Sequence, residues 1–121
     1  MTQQPVTDKE IYCAFMSKKD KFRAHALGES EMEKRLVILR EKSFDELKIL
    51  PDYEVDDLKA GKYEVNVTTY RRNLEDGRLQ IVVQWYFHMR LGFGQIRADG
   101  FTITKNNVSQ DMEEKALYEF M

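Results

Sequence analysis

The sequence predicts an α+β fold: two or three N-terminal helices packed on a three-stranded antiparallel meander sheet, with a C-terminal helix closing the chain. Three observations predict it. Apolar residues recur at helical spacing between Thr7 and Leu50, the period falls to two from Lys62 onward, and a helical stripe returns after Ser109. The 121 residues form a single domain, 1–121. A chain of this size buries roughly two-thirds of its unfolded surface, enough for one continuous core without metal or disulfide.

Each helix is announced by its start. Thr7-Asp8-Lys9-Glu10 reads as a capping box, in which the Thr7 hydroxyl and the Glu10 carboxylate serve backbone N–H groups that lack helical partners. Ile11, Phe15, Phe22 and Ala26 supply that helix's apolar stripe, and Gly28 its expected stop. Ser30-Glu31-Met32-Glu33 starts a second helix with Met32, Leu36 and Leu39 inward. Ser43-Phe44-Asp45-Glu46 restarts it once more, before Pro51 ends the run. The acidic segment Asp52 to Gly61 reads as a turn-like connection.

Tyr63, Val65 and Val67 then alternate with Glu64, Asn66 and Thr68, the mark of a strand with one buried face. Glu75-Asp76-Gly77 suits a three-residue hairpin loop closed by a left-handed glycine. The strand Arg78 to Arg90 follows, with Leu79, Ile81, Val83, Trp85 and Phe87 on one face. This loop length sets Val67 opposite Trp85, and a slip of one residue would oppose apolar and polar faces. Gly92-Phe93-Gly94 turns the chain into a third strand, Gln95 to Thr104. Its apolar phase jumps from Ile96 and Ala98 to Phe101 and Ile103, which predicts a bulge at Asp99-Gly100. Ser109 is the expected cap of a last helix that buries Met112, Ala116, Leu117 and Phe120.

Composition excludes several function classes. The formal net charge is −2, and neither half carries the clustered Lys and Arg that bind a polyanion, so nucleic acid is not the favoured partner. Cys13 is the only cysteine, which rules out an intrachain disulfide and a zinc site of paired cysteines. No apolar run is long enough to span a bilayer and the first residues are polar, so no membrane is involved and a cytoplasmic location is expected. The sequons at Asn66 and Asn107 read as chance matches there. His25, near the expected end of the first helix, and His88 are too few for a histidine metal centre, and Asp52, Glu54, Asp56 and Asp57 lack the spacing of a calcium loop. Gly92-Phe93-Gly94 stands between strands, without the helix that a phosphate loop needs. No metal, cofactor or catalytic set is therefore assigned.

With the helices covering one side, the other sheet face is open to solvent, a ligand or a partner, or else its Val82 and tyrosines lie under the closing helix or a dimer mate. It carries Glu64, Asn66, Thr68, Tyr70, Gln80, Val82, Gln84, Tyr86, His88 and Arg90. The inferred register sets Glu64 across from His88, half of a general-base arrangement, and Asn66 across from Tyr86. The candidate binding residues are Glu64, Asn66, Tyr70, Tyr86, His88 and Arg90, since aromatic and arginine side chains on a polar surface are what binding hot spots favour. The function expected is a non-catalytic interaction or accessory domain, of inhibitor, immunity or adaptor type, that meets a protein partner or a second copy of itself through this face. The alternative is a small-molecule-binding or enzymatic domain. Its pocket, walled by Trp85, Tyr63 and Phe101, would lie between sheet and helices, in an architecture that resembles the cystatin or NTF2-like α+β cone.

Overall fold

A computed structural model describes residues 18–60, 63–88 and 94–121. Thr7, Cys13, Arg90 and the Gly92-Phe93 turn lie outside these. Among the described residues the order is α1 (Lys18–Arg40), α2 (Phe44–Lys48), β1 (Tyr53–Ala60), β2 (Tyr63–Asn73), β3 (Leu79–His88), β4 (Gly94–Ile103), β5 (Ser109–Asp111), α3 (Glu114–Leu117) and a closing 3₁₀ turn (Tyr118–Phe120). The α+β class holds. The sheet, however, has five antiparallel strands in chain order, β1-β2-β3-β4-β5, where three were expected.

The first correction concerns Gly28, which does not stop a helix. α1 runs through it for 23 residues, and Ser30 is interior. A Cβ at Gly28 would stand 2.3 Å from Cδ2 of Trp85, so the missing side chain is what lets the helix lie directly on the indole. Glycine costs a helix interior roughly 1 kcal/mol, and full burial of Trp85 offsets it. The buried stripe is Ala24, Gly28, Met32, Leu36 and Leu39, while Phe22, expected inside, is 74% exposed.

α2 begins as expected. The Ser43 hydroxyl accepts from the Glu46 N–H at 3.2 Å and the Glu46 carboxylate accepts from the Ser43 N–H at 3.0 Å. The Phe44 N–H donates to Asn107 Oδ1 at 2.8 Å. Asn107 reaches it from the β4–β5 turn, where it adopts φ 65°.

The segment expected to be turn-like is strand β1. Tyr53 pairs with Tyr70, Val55 with Thr68 and Leu58 with Val65. Arg71 fixes its start, since its guanidinium donates to the Leu50 carbonyl at 2.8 Å and to Asp52 at 2.7 Å. The β2–β3 register is the expected one: Val67 opposes Trp85, Asn66 opposes Tyr86 and Thr68 opposes Gln84. So is the hairpin, with Gly77 at φ 89° and the Leu74 N–H donating to the Arg78 carbonyl at 2.9 Å.

β3 and β4 pair without interruption from Leu79↔Ile103 to His88↔Gly94, so there is no bulge at Asp99-Gly100. The apolar phase of β4 jumps because the strand is buried on both sides. Phe101 and Ile103 pack toward α1, whereas Ala98 packs toward the C-terminal helix. Ser109 starts β5 rather than a helix, and α3 begins only at Glu114.

The helices therefore do not share one face. On the α1 side, Trp85, Phe87, Phe101, Ile81, Val65 and Val67 form the main core with Met32, Leu36 and Leu47. On the outward side, Leu117 covers Val82 and Ala98, with Tyr70, Met112 and Phe120 packed around them. No described helix is long and apolar enough to cross a membrane.

Candidate functional site

Glu64, Asn66 and Tyr70 on β2 and Tyr86 on β3 occupy outward-facing positions, as their register requires. β1 captures two of them. Lys59 donates to the Glu64 carboxylate at 2.7 Å, and the Asn66 amide donates to the Asp57 carboxylate. His88 pairs through its backbone with Gly94. The β2–β3 register sets Asn66 against Tyr86, and the His88 side chain lies outside what the structure describes. Arg90 lies outside the described residues.

Tyr70 is brought into a different group. Its ring centroid lies 5.3 Å from that of Phe120, on the C-terminal segment that packs against Val82 and Ala98 of the outward face. Three further contacts hold that segment. The Gln84 amide donates to the Phe120 carbonyl, and the Arg72 guanidinium donates to Glu119 at 2.9 Å while standing 5.3 Å over the Phe120 ring. A second guanidinium hydrogen bond, to Gln80 at 2.9 Å, holds Arg72 against the sheet.

Between this segment and the start of β1 lies a cleft of about 530 Å³ lined by Asp52, Tyr53, Tyr70, Arg71, Arg72, Asn73 and Phe120. Tyr53 is 64% exposed at its mouth. The sequence reading missed Tyr53 and Phe120 as members of a site. The signal for Tyr53 was present, since Tyr53 and Val55 alternate with Glu54 and Asp56, but Pro51 and the run of acids outweighed it.

A second cleft, of about 270 Å³, opens on the opposite side of β1, between it and α1. Ile38, Leu39, Leu50 and Pro51 line it, with Arg35, Glu54, Asp56 and Thr69 at its polar side. Arg35 donates to Asp56 at 2.8 Å. Trp85, Tyr63 and Phe101, the expected pocket walls, are at most 5% exposed and line neither cleft.

The ionisable groups with displaced pKa values stand elsewhere. The Ser43 backbone N–H, and then its hydroxyl, hold the Glu46 carboxyl below its ordinary range. The Arg78 backbone and side chain do the same for Asp76. Both belong to a cap or a turn. His25, mid-helix rather than at a helix end, sets its ring edge on Trp85 with centroids 5.1 Å apart and bonds Gln95 at 3.2 Å. The Trp85 indole N–H donates to Glu29 at 2.6 Å, so these polar groups serve the packing of α1 on the sheet. No cluster of three metal-ligating side chains occurs among the described residues. Comparisons with protein-family models, curated proteins and solved structures find no match for this chain.

Proposed function

We propose that this chain is a non-catalytic protein-interaction domain that engages its partner through the Tyr53, Tyr70, Arg72 and Phe120 cleft. One observation carries the reading: three aromatic rings and an arginine held by three contacts converge on an accessible concavity. Tyrosine and arginine dominate binding hot spots because each offers a large contact area together with hydrogen bonds. Arg72 is already oriented by Gln80 and Glu119, so little side-chain entropy is lost when a partner arrives. Glu64 and Asn66, tied to β1, lie farther along the same outward face.

A photo-crosslinking residue in place of Tyr53, introduced in the cells that make the protein, tests this. A discrete protein adduct is expected from position 53 and none from position 75 at the hairpin tip. Equal yields from the two positions, or no adduct at either, would overturn the proposal. The second reading, a small-molecule site, draws on the cleft's volume of about 530 Å³, which falls in the range of ligand pockets. A position-53 variant that forms no adduct, together with a thermal shift on screening small aromatic anions, would favour it.

A further inference from the structure

The outer edge of β1 has an orientation that can be read from one hydrogen bond. The Arg71 N–H donates to the Asp52 carbonyl at 2.9 Å, and the register sets Tyr53 against Tyr70 and Glu54 against Thr69. In an antiparallel ladder hydrogen-bonded and non-bonded pairs alternate. Glu54, Asp56 and Leu58 thus direct their backbone groups to β2. Tyr53, Val55, Asp57 and Lys59 direct theirs outward. β1 is a terminal strand of the sheet, and no described strand pairs with this edge.

Two clefts flank that edge, one on each side of the sheet. On the α1 side lies the cleft walled by Ile38, Leu39, Leu50 and Pro51, and on the outward side the Tyr53 cleft. Successive side chains of an added strand point alternately to the two sides. Backbone pairing with pockets for alternate side chains is how sheet edges recognise extended peptides.

The charge pattern selects the occupant. β1 carries Glu54, Asp56 and Asp57 against Lys59. Glu54 has no ion pair among the described residues; Asp56, on the same α1-side row, meets Arg35, and Asp57 faces outward and accepts from the Asn66 amide. A second copy of β1 fits badly. Antiparallel self-pairing about a two-fold axis sets Glu54 on Asp56, Asp56 on itself or Asp57 on itself in its three central registers, and like charges directly opposite destabilise a sheet. An extended basic segment meets the opposite situation.

We propose that the outer edge of β1 is a docking site for an extended segment of a partner protein, with alternating apolar and basic residues. It adds to the sheet as a sixth strand, places its apolar side chains on the outward side beside Tyr53 and Val55, and sets its cations on the α1 side against Glu54 and Asp56. This rests on the interaction-domain reading above and names the partner's chemistry.

The test uses the full chain and a short fluorescent peptide alternating Val and Lys, with a Val and Glu peptide as control. Binding of the Val and Lys peptide is expected to slow amide exchange at Val55 and Asp57 and to weaken with added salt. The variant E54K, whose urea midpoint checks its fold, is expected to lose about tenfold in affinity for that peptide. Equal binding of the two peptides, no binding, or binding without protection at Val55 and Asp57 would overturn the proposal. Protection that rises with protein concentration alone would assign the edge to a second copy and overturn it too. A partner crosslinked at position 53 without protection of β1 would retain the interaction reading and remove the added strand.

Discussion

The two faces of the sheet are built to different standards. The α1 side buries Trp85, Phe87 and Phe101 under a helix of 23 residues, and Trp85 and Phe87 stack with planes 4° apart. The outward side buries Val82, Ala98 and Leu117 under a helix of four residues and a 3₁₀ turn of three. One face holds the fold together and the other only half closes. The surface left uncovered by the short C-terminal segment is where the aromatic cleft lies, so the candidate site and the main core are on opposite sides of one sheet. Substitutions in one should leave the other largely intact.

Gly28→Ala attacks the better-packed face and has the largest expected effect. Helix propensity alone would stabilise this variant by about 1 kcal/mol. A Cβ at 2.3 Å from the indole instead forces α1 off the sheet, with an expected net loss of about 2–3 kcal/mol in urea unfolding. A gain in stability would mean that α1 does not rest on Trp85.

Leu117→Ala attacks the weaker face. The expected cost is about 1–2 kcal/mol, reduced from the usual core value because few groups surround it. Its signature is local: faster amide exchange from Met112 to Phe120, with the β3 amides unchanged. If β3 exchange accelerates equally, the two faces unfold as one unit.

The smallest expected effect lies outside both faces. Ser43→Ala removes the α2 cap at about 1 kcal/mol. It should also remove part of the acid dependence. Bonding from Ser43 lowers the Glu46 pKa in the folded chain from an ordinary 4.5. The stability this carries is present above that value and is lost as the pH falls through the lower, folded one. The parent should therefore lose stability over that acidic window, and the variant's unfolding midpoint should vary less with pH there.

Much of this was legible before the structure. The β2–β3 register followed from the length of the Glu75-Asp76-Gly77 loop together with strict alternation, and both are local facts of the chain. The Ser43 capping box was local too. The failures share a cause: the deciding contact lies far away in sequence. Gly28 looks like a helix stop until Trp85 is placed beneath it, although counting it into the stripe Ala24, Met32 and Leu36 would have joined the two helices. β1 looks like an acidic loop until Arg35 and Asn66 are seen to hold Asp56 and Asp57, with Arg71 on Asp52 just before it. The outward face was legible at Tyr70 and Tyr86, but whether solvent, a partner or the closing helix covers it was not, because Ala98 and Phe101 belong to opposite sides of an unbroken strand. Among the described candidate binding residues, Tyr70 lines the cleft, since Phe120 comes to it from the end of the chain.

The strand order, identical to the chain order, bears on how the molecule assembles. Every strand in this sheet pairs with its chain neighbour, so the sheet can zip up one hairpin at a time, starting from the tight turn at Gly77. Such pairings close short loops and are kinetically cheap. The distant closures are of another kind: α1 lands on Trp85, which Glu29 bonds across 56 positions, and the C-terminal segment returns to Tyr70 and Arg72. Docking of these ends, rather than strand pairing, is the step expected to limit folding, and Gly28 stands where α1 comes nearest Trp85.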